Sequence, residues 1–244
     1  MDFSGQTAMR LRSFGRRLGI FPPLLRALRK LSGARYEQRF DAALLAAVRS
    51  GDIVWDIGAN EGLYTEKFAR RVEPSGHVVA FEPSPRSVEV LRTRFTDPNR
   101  VTICPVALAD QAGTATFYAN GSSNGTTDSL VERTAGAIPH QVEVRRGDEF
   151  LLRFPPNVIK IDVEGFELEV LRGLSEVLVS PALRSVLIEV HFGILSDRGL
   201  PNAPAELTVL LRKAGLAVAW VDSSHLAGQR GGSSPDSLRD ANVS

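Results

Sequence analysis

The stretch Ile53-Val54-Trp55-Asp56-Ile57-Gly58-Ala59-Asn60-Glu61-Gly62-Leu63-Tyr64-Thr65 is the most informative junction in the chain. Its first five residues form a short, nearly unbroken apolar run, as expected of a strand buried on both faces. Gly58 then allows a sharp backbone turn. Beyond Gly62, the residues Tyr64, Phe68, Ala69 and Val72 recur at helical spacing. A buried strand, a glycine turn and a helix start together predict a ligand-binding junction, because the first amides of a helix can receive an anionic group. Two common nucleotide fingerprints do not fit. The G-x-G-x-x-G dinucleotide pattern lacks a glycine, and no G-x-x-x-x-G-K-[ST] phosphate loop is present. Instead Asp56 stands two residues before the first glycine. An acid there would repel a pyrophosphate and suits a ligand carrying an ammonium and a sulfonium.

Outward from this junction, strand and helix patterns alternate. Strands are predicted at His77 to Phe81, Val101 to Val106, Asn157 to Ile161, Ser185 to Val190 and Leu216 to Val221. Ser84-Pro85 starts a helix, with serine as its cap and proline in its first turn, and Val88, Leu91 and Phe95 form the inner face. Phe166, Val170, Leu171 and Leu174 line another helix, and a further one runs from Pro204 to Ala214. A polar insertion interrupts the pattern, with strands at Thr114 to Tyr118 and Gln141 to Val144 flanking a loop rich in Gly, Ser, Asn and Thr. Strands alternating with single helices predict an α/β fold with a mostly parallel sheet covered by helices on both faces. In such sheets ligands bind beyond the carboxyl ends of the strands, at the switch point.

The organisation expected from this pattern is a basic helical extension at 1–35, one ligand-binding domain at 36–221 and a loose polar tail at 222–244. Residues 1–39 carry nine basic side chains against Asp2 and Glu37, although the whole chain has a net charge of only +1. That segment reads either as a helical pair packed on the domain or as a basic amphipathic surface for peripheral membrane contact. The balanced total charge gives no reason to expect nucleic acid as a partner. Cys104 is alone, which excludes an internal disulfide and a cysteine-only zinc cluster. No run approaches the roughly 20 apolar residues of a membrane span, so a cytoplasmic setting is expected. The pattern says nothing of oligomeric state.

Glu82 closes the second strand in Ala80-Phe81-Glu82-Pro83, 20 residues after Gly62. A carboxylate there can accept hydrogen bonds from both hydroxyls of a ribose. With Glu82 in place, five blocks stand in order: D-I-G-A-N-E-G-L-Y-T at 56–65, A-F-E-P-S at 80–84, V-A-L-A-D at 106–110, K-I-D-V-E-G-F-E at 160–167 and I-E-V-H at 188–191. From about Tyr36 to Val221 the chain resembles the FkbM-type methyltransferases. The resemblance implies a Rossmann-like class I methyltransferase fold, S-adenosylmethionine as cofactor, and O-methylation of a small molecule or glycan. It implies cofactor contacts from Asp56, Gly58, Ala59, Asn60, Gly62, Tyr64 and Thr65 in the first block, with Gly58 to Gly62 around the methionine part. It implies further contacts from Glu82, Pro83 and Ser84 in the second block, from Val106 and Ala107 beside the adenine, and from Asp162. The chain departs from the pattern at its end, where no convincing seventh strand is found and Ser224-His225-Leu226 is at most a shortened one.

Strand four ends in Asp162-Val163-Glu164-Gly165 and strand five in Glu189-Val190-His191, so Asp162, Glu189 and His191 are the catalytic candidates. A hydroxyl is a poor nucleophile until a base takes its proton, and an imidazole with an unperturbed pKa near 6.5 can do so at neutral pH. The alternative for His191 is a purely structural hydrogen bond in its loop. His77, His140 and His225 read as surface residues, and Glu167 and Glu169 as a helix start and its exposed face. Asp162, Glu164, Glu189 and His191 could also hold a divalent cation, but the spacing demands no metal and a metal-free base is preferred. N-methylation is the runner-up, although the N-P-P-[FYW] run of base-amino methylation is missing after strand four. A cofactor-binding module without catalysis is a third reading, and the intact strand-end acids argue against it.

Overall fold

The computed structural model describes residues 40–119 and 138–231. The chain divides into two compact units, 1–42 and 43–244. The expected extension at 1–35, its boundary with the domain and most of the insertion loop lie outside the described residues, as does the segment 232–244. A helical segment runs over 40–47.

The larger unit is built on a seven-stranded sheet in the order β3-β2-β1-β7-β8-β10-β9. Its members are β1 (Ile53–Ile57), β2 (His77–Phe81), β3 (Val101–Cys104), β7 (Val158–Ile161), β8 (Ser185–Glu189), β9 (Ala217–Trp220) and β10 (His225–Gln229). Strands β3, β2, β1, β7 and β8 are mutually parallel, while β10 runs antiparallel to both β8 and β9. The chain steps outward from β1 to β3, then returns to lay β7 on the other side of β1. With right-handed crossovers this reversal puts the helices of the two halves on opposite faces. It also opens a crevice above β1 and β7. Among the described residues, no helix is long and apolar enough to cross a membrane.

The helices follow from their caps and apolar faces. Helix α1 (Leu63–Arg71) buries Thr65 and Phe68 and carries Arg70 and Arg71 in its last turn, where cations complement the helix dipole. Helix α2 (Pro85–Arg94) starts at Ser84, whose side chain accepts from the Ser87 amide, with Pro85 in the first turn as expected. Helices α3 (Glu167–Arg172), α4 (Phe192–Asp197) and α5 (Ala203–Lys213) complete the cover. Under them Trp55 meets Phe81 edge to face at 5.1 Å and donates its indole N–H to the Phe154 carbonyl.

Two sequence expectations are corrected. The third strand ends at Cys104 rather than Val106, because the Val106 amide turns back onto the Cys104 carbonyl. The chain then enters a second, three-stranded sheet, where β4 (Ala107–Leu108) and β5 (Gly113–Ala119) flank β6 (Ile138–Arg145). The seventh strand, moreover, is complete. Residues 225–229 belong to the sheet rather than to a polar tail, with His225 opposite Glu189 and Gln229 opposite Ser185. Their composition is weakly strand-like, but a slot between two apolar strands decides the matter, as tertiary context often does for β-structure.

Candidate active site

The cleft at the β1/β7 reversal is lined by Gly58, Asn60, Glu82, Pro83 and Ser87 on one side. Val106, Ala107, Leu108 and Phe117 form an apolar end, and Asp162, Val163, Glu164 and Phe166 close the other. Gly58 has φ 77° and its Cα packs on the end of β7, where an added Cβ would lie 1.8 Å from the Asp162 carbonyl oxygen. Only glycine allows that approach. Gly62 serves packing instead of the cleft, since a Cβ there would strike Leu91 and Phe95 of the α2 region.

Glu82 is aimed by the main chain. Its Oε2 accepts from the Asn60 amide at 2.7 Å and its Oε1 from the Ser84 amide at 2.8 Å. Each oxygen keeps a lone pair for a ligand hydroxyl. Burial raises the pKa to about 7 against the lowering effect of those amides and of Lys160. A carboxylate able to take two hydroxyls, beside an apolar slot and an acid-rich corner, fits the ribose, adenine and cationic methionine end of S-adenosylmethionine.

Asp56 does not face the cleft. It is fully buried, accepts from Thr65 Oγ1 at 2.6 Å and pairs with Lys160 Nζ at 3.2 Å. Thr65 is equally buried, and Tyr64 presents its ring to Lys160 at 5.0 Å. Of the first block, therefore, Gly58 and Asn60 line the cleft, while Asp56, Ala59, Gly62, Tyr64 and Thr65 do not. In the second, Glu82 and Pro83 line it and Ser84 lies behind as cap and amide donor. Burial pulls the Lys160 pKa down, but Asp56 and then Asp162 outweigh it and hold the group above its ordinary value.

Strands β7, β8 and β10 bring the acids and histidines together. His191 caps α4. Its Nδ1 lies 2.7 Å from Glu167 Oε1, and its Nε2 lies 3.8 Å from Asp162, 3.7 Å from Glu164 and 3.9 Å from Glu189. Burial would depress the imidazole pKa, but the Glu167 bond and the charges of Glu167, Glu164 and Asp162 raise it to about 9. At neutral pH the free protein thus holds an imidazolium, which corrects the expectation of an unperturbed base. Glu167 is wholly buried and also accepts from the Gly165 amide, so it is no mere helix-start residue. Glu169 pairs with Arg198 at 2.6 Å. His77 is only half-buried; its ring stacks on Phe154.

His225, expected at the surface, is buried. Its Nδ1 lies 2.7 Å from Asp222 Oδ2 and its Nε2 3.7 Å from Glu189 Oε2. Burial opposes its protonation, but Asp222 and then Glu189 carry the pKa to about 9. The pairing with His225 holds Glu189 below its ordinary value. The sequence reading gave none of Lys160, Glu167, Asp222 and His225 a part in the site. A lysine inside the apolar run Val158-Ile159-Lys160-Ile161 was the available signal, because lysine is almost never enclosed unless its charge is met.

Three relatives share most or about half of the chain. A hexuronic acid methyltransferase, AglP, of Haloferax volcanii is 31% identical over 194 residues, covering 77% of this chain and 73% of its own. The 31-O-demethyl-FK506 methyltransferase FkbM of Streptomyces tacrolimicus is 30% identical, over 74% of this chain and 78% of its own. The methyltransferase sdnD of Sordaria araneosa is 28% identical over 54% of this chain and 64% of its own. Residues 56–216, from the buried Asp56 through both arms of the cleft, match the Methyltransferase FkbM domain, and the chain belongs to that family of methyltransferases.

Proposed function

We propose that the protein transfers a methyl group from S-adenosylmethionine to a hydroxyl of a sugar or other small-molecule acceptor. The observation that carries this reading is His191 Nε2, which lies outside the cleft lining itself but within 4 Å of Glu189 and of Asp162 and Glu164, two acids that line the cleft with Glu82. When bound, S-adenosylmethionine supplies an electrophilic methyl on a positively charged sulfur. Glu82 accepts hydrogen bonds from the ribose hydroxyls, and Val106, Ala107 and Phe117 cover the adenine. His191 takes the acceptor proton at Nε2 while its Nδ1–H donates to Glu167, which fixes the ring and stabilises the imidazolium that results. To act, His191 must first lose the proton it holds in the free protein. Any positive charge brought into the acid cluster favours that loss. The names of two relatives, a hexuronic acid methyltransferase and a 31-O-demethyl-FK506 methyltransferase, support a hydroxylated acceptor class.

One observation favours a second reading. Ligand atoms of Asp162, Glu164 and His191 lie within 4.8 Å of one another, close enough to share a divalent cation that would lower the acceptor's pKa. Methyl transfer from labelled S-adenosylmethionine to neutral sugars, uronic acids and amines, each with and without EDTA, tests both. Transfer to hydroxyls that survives EDTA is the expected result. Loss on chelation with recovery on added Mg²⁺ would favour the cation, and transfer to amines alone would overturn the proposal.

A further inference from the structure

Every residue of β7 is buried, and one of them is a lysine. Lys160 is 2% exposed, and its ammonium is met by one carbonyl and two carboxylates. Nζ donates to the Gly58 carbonyl at 3.0 Å and meets Asp56 Oδ1 at 3.2 Å and Asp162 Oδ2 at 3.5 Å. The partners come from three places: the end of β1, the turn that follows it, and the residue after β7. Gly58 and Asp162 line the cleft, whereas Lys160 itself does not.

We infer that Lys160 is a positioning residue, whose ammonium holds the Gly58 carbonyl and the Asp162 carboxylate as a pre-set wall for the cationic methionine end of S-adenosylmethionine. The inference rests on the cofactor reading above. The charges support it. Two carboxylates and one ammonium leave a single net negative charge, which favours a cation in the cleft. Without the ammonium, the buried Asp56 and the partly exposed Asp162 would lose the cation they share, which favours protonation of one of them. Lys160 also divides the work of Asp162. Oδ2 is turned toward the ammonium, which leaves Oδ1 toward His191.

The test compares wild type, Lys160→Met and the double variant Asp56→Asn/Lys160→Met by calorimetric titration with S-adenosylmethionine, beside denaturation curves. The single variant should lose stability, because it strands two carboxylates. The double variant removes an opposite pair of charges and should recover most of that loss. Affinity per folded molecule should nonetheless stay about ten- to a hundredfold below wild type in both, as expected when a charged hydrogen-bond donor is lost. In turnover, KM for the cofactor should rise by that factor with a smaller change in kcat. Wild-type affinity in both variants would overturn the inference and leave Lys160 a fold-holding residue. Recovery of affinity in the double variant alone would overturn it in favour of charge balance. A wild-type protein that binds no S-adenosylmethionine would instead overturn the cofactor reading itself.

Discussion

At the β1–β2 end of the cleft, the groups that face a ligand are held by main chain; at the β7–β8–β10 end they are held by other charges. Glu82 owes its aim to the amides of Asn60 and Ser84, both within 22 residues of it. His191 owes its aim to Glu167, 24 residues away on another helix, and to a ring of acids from two strand ends. The first arrangement is fixed by uncharged amides and depends on pH only through Glu82 itself. The second is a chain of alternating charge, from Asp222 through His225 and Glu189 to His191 and Glu167. Main-chain cradles suit a cofactor of constant shape, whereas a charge network can change its protonation during a reaction. The contrast can be tested by disturbing each end in turn.

The largest effect belongs to the charge network. Replacing His191 by Ala should lower turnover by roughly 10²–10⁴-fold, the usual contribution of a positioned base, while leaving cofactor affinity nearly intact. The pH profile sharpens the point. Because the free protein's imidazole carries its proton up to about 9, kcat/KM should climb with pH toward that value. The rising limb of kcat should sit lower, since a sulfonium in the cleft disfavours the imidazolium. Steady-state kinetics of both proteins across this range provide the check. A His191→Ala enzyme with normal turnover, or a wild type whose kcat/KM is already flat near neutrality, would break the assignment.

A smaller effect is expected at the main-chain end. Glu82→Ala should weaken S-adenosylmethionine binding by about 1.5–3 kcal/mol, the scale of a lost charged hydrogen-bond partner. Burial sets the wild-type pKa at about 7, so the accepting carboxylate form predominates only above it. Wild-type affinity should therefore fall as pH drops through that value, and the Ala variant should lack this dependence. Calorimetry on both sides of neutrality measures the two slopes; parallel slopes would remove Glu82 from the ribose site.

The same contrast explains what could be read in the sequence. The β1 junction and Glu82 were legible because their partners lie in one or two contiguous blocks, where strand, turn and helix start are spelled out by Gly58, Ser84 and Pro85. Asp162, Glu189 and His191 stood out because each lies at the end of a recognisable strand, and the fold brings the two acids within 4 Å of the imidazole. It misread Asp56 as facing the ligand, because nothing local reveals that Lys160, 104 positions later, covers it. Glu167 looked like a dipole-matching acid at a helix start, and only the β8–α4 turn turns it into a histidine anchor. His225 was lost with its strand: His225-Leu226-Ala227-Gly228-Gln229 becomes regular only between β8 and β9.

The smallest effect probes the far end of the charge network, the pair formed by His225 and Asp222. His225→Asn keeps a side-chain donor for Asp222 and removes the charge. The expected loss of stability is about 1 kcal/mol, the difference between a charge-assisted and a neutral hydrogen bond. Its sign with pH follows from the two shifts. The folded His225 pKa of about 9 exceeds its ordinary 6.5, so this contribution is fully present below 6.5 and is lost as pH rises through 9. The Asp222 pKa is lowered from 3.8, because the hydrogen bond and charge of His225 and the amide of Ser224 outweigh burial, so its share is present above 3.8 and lost in stronger acid. The gap between wild type and variant in denaturant melts should therefore be widest near about pH 5–6 and close by about pH 10. A gap that stays constant across that range would mean that His225 stabilises the fold by packing alone, with no charge passed toward Glu189.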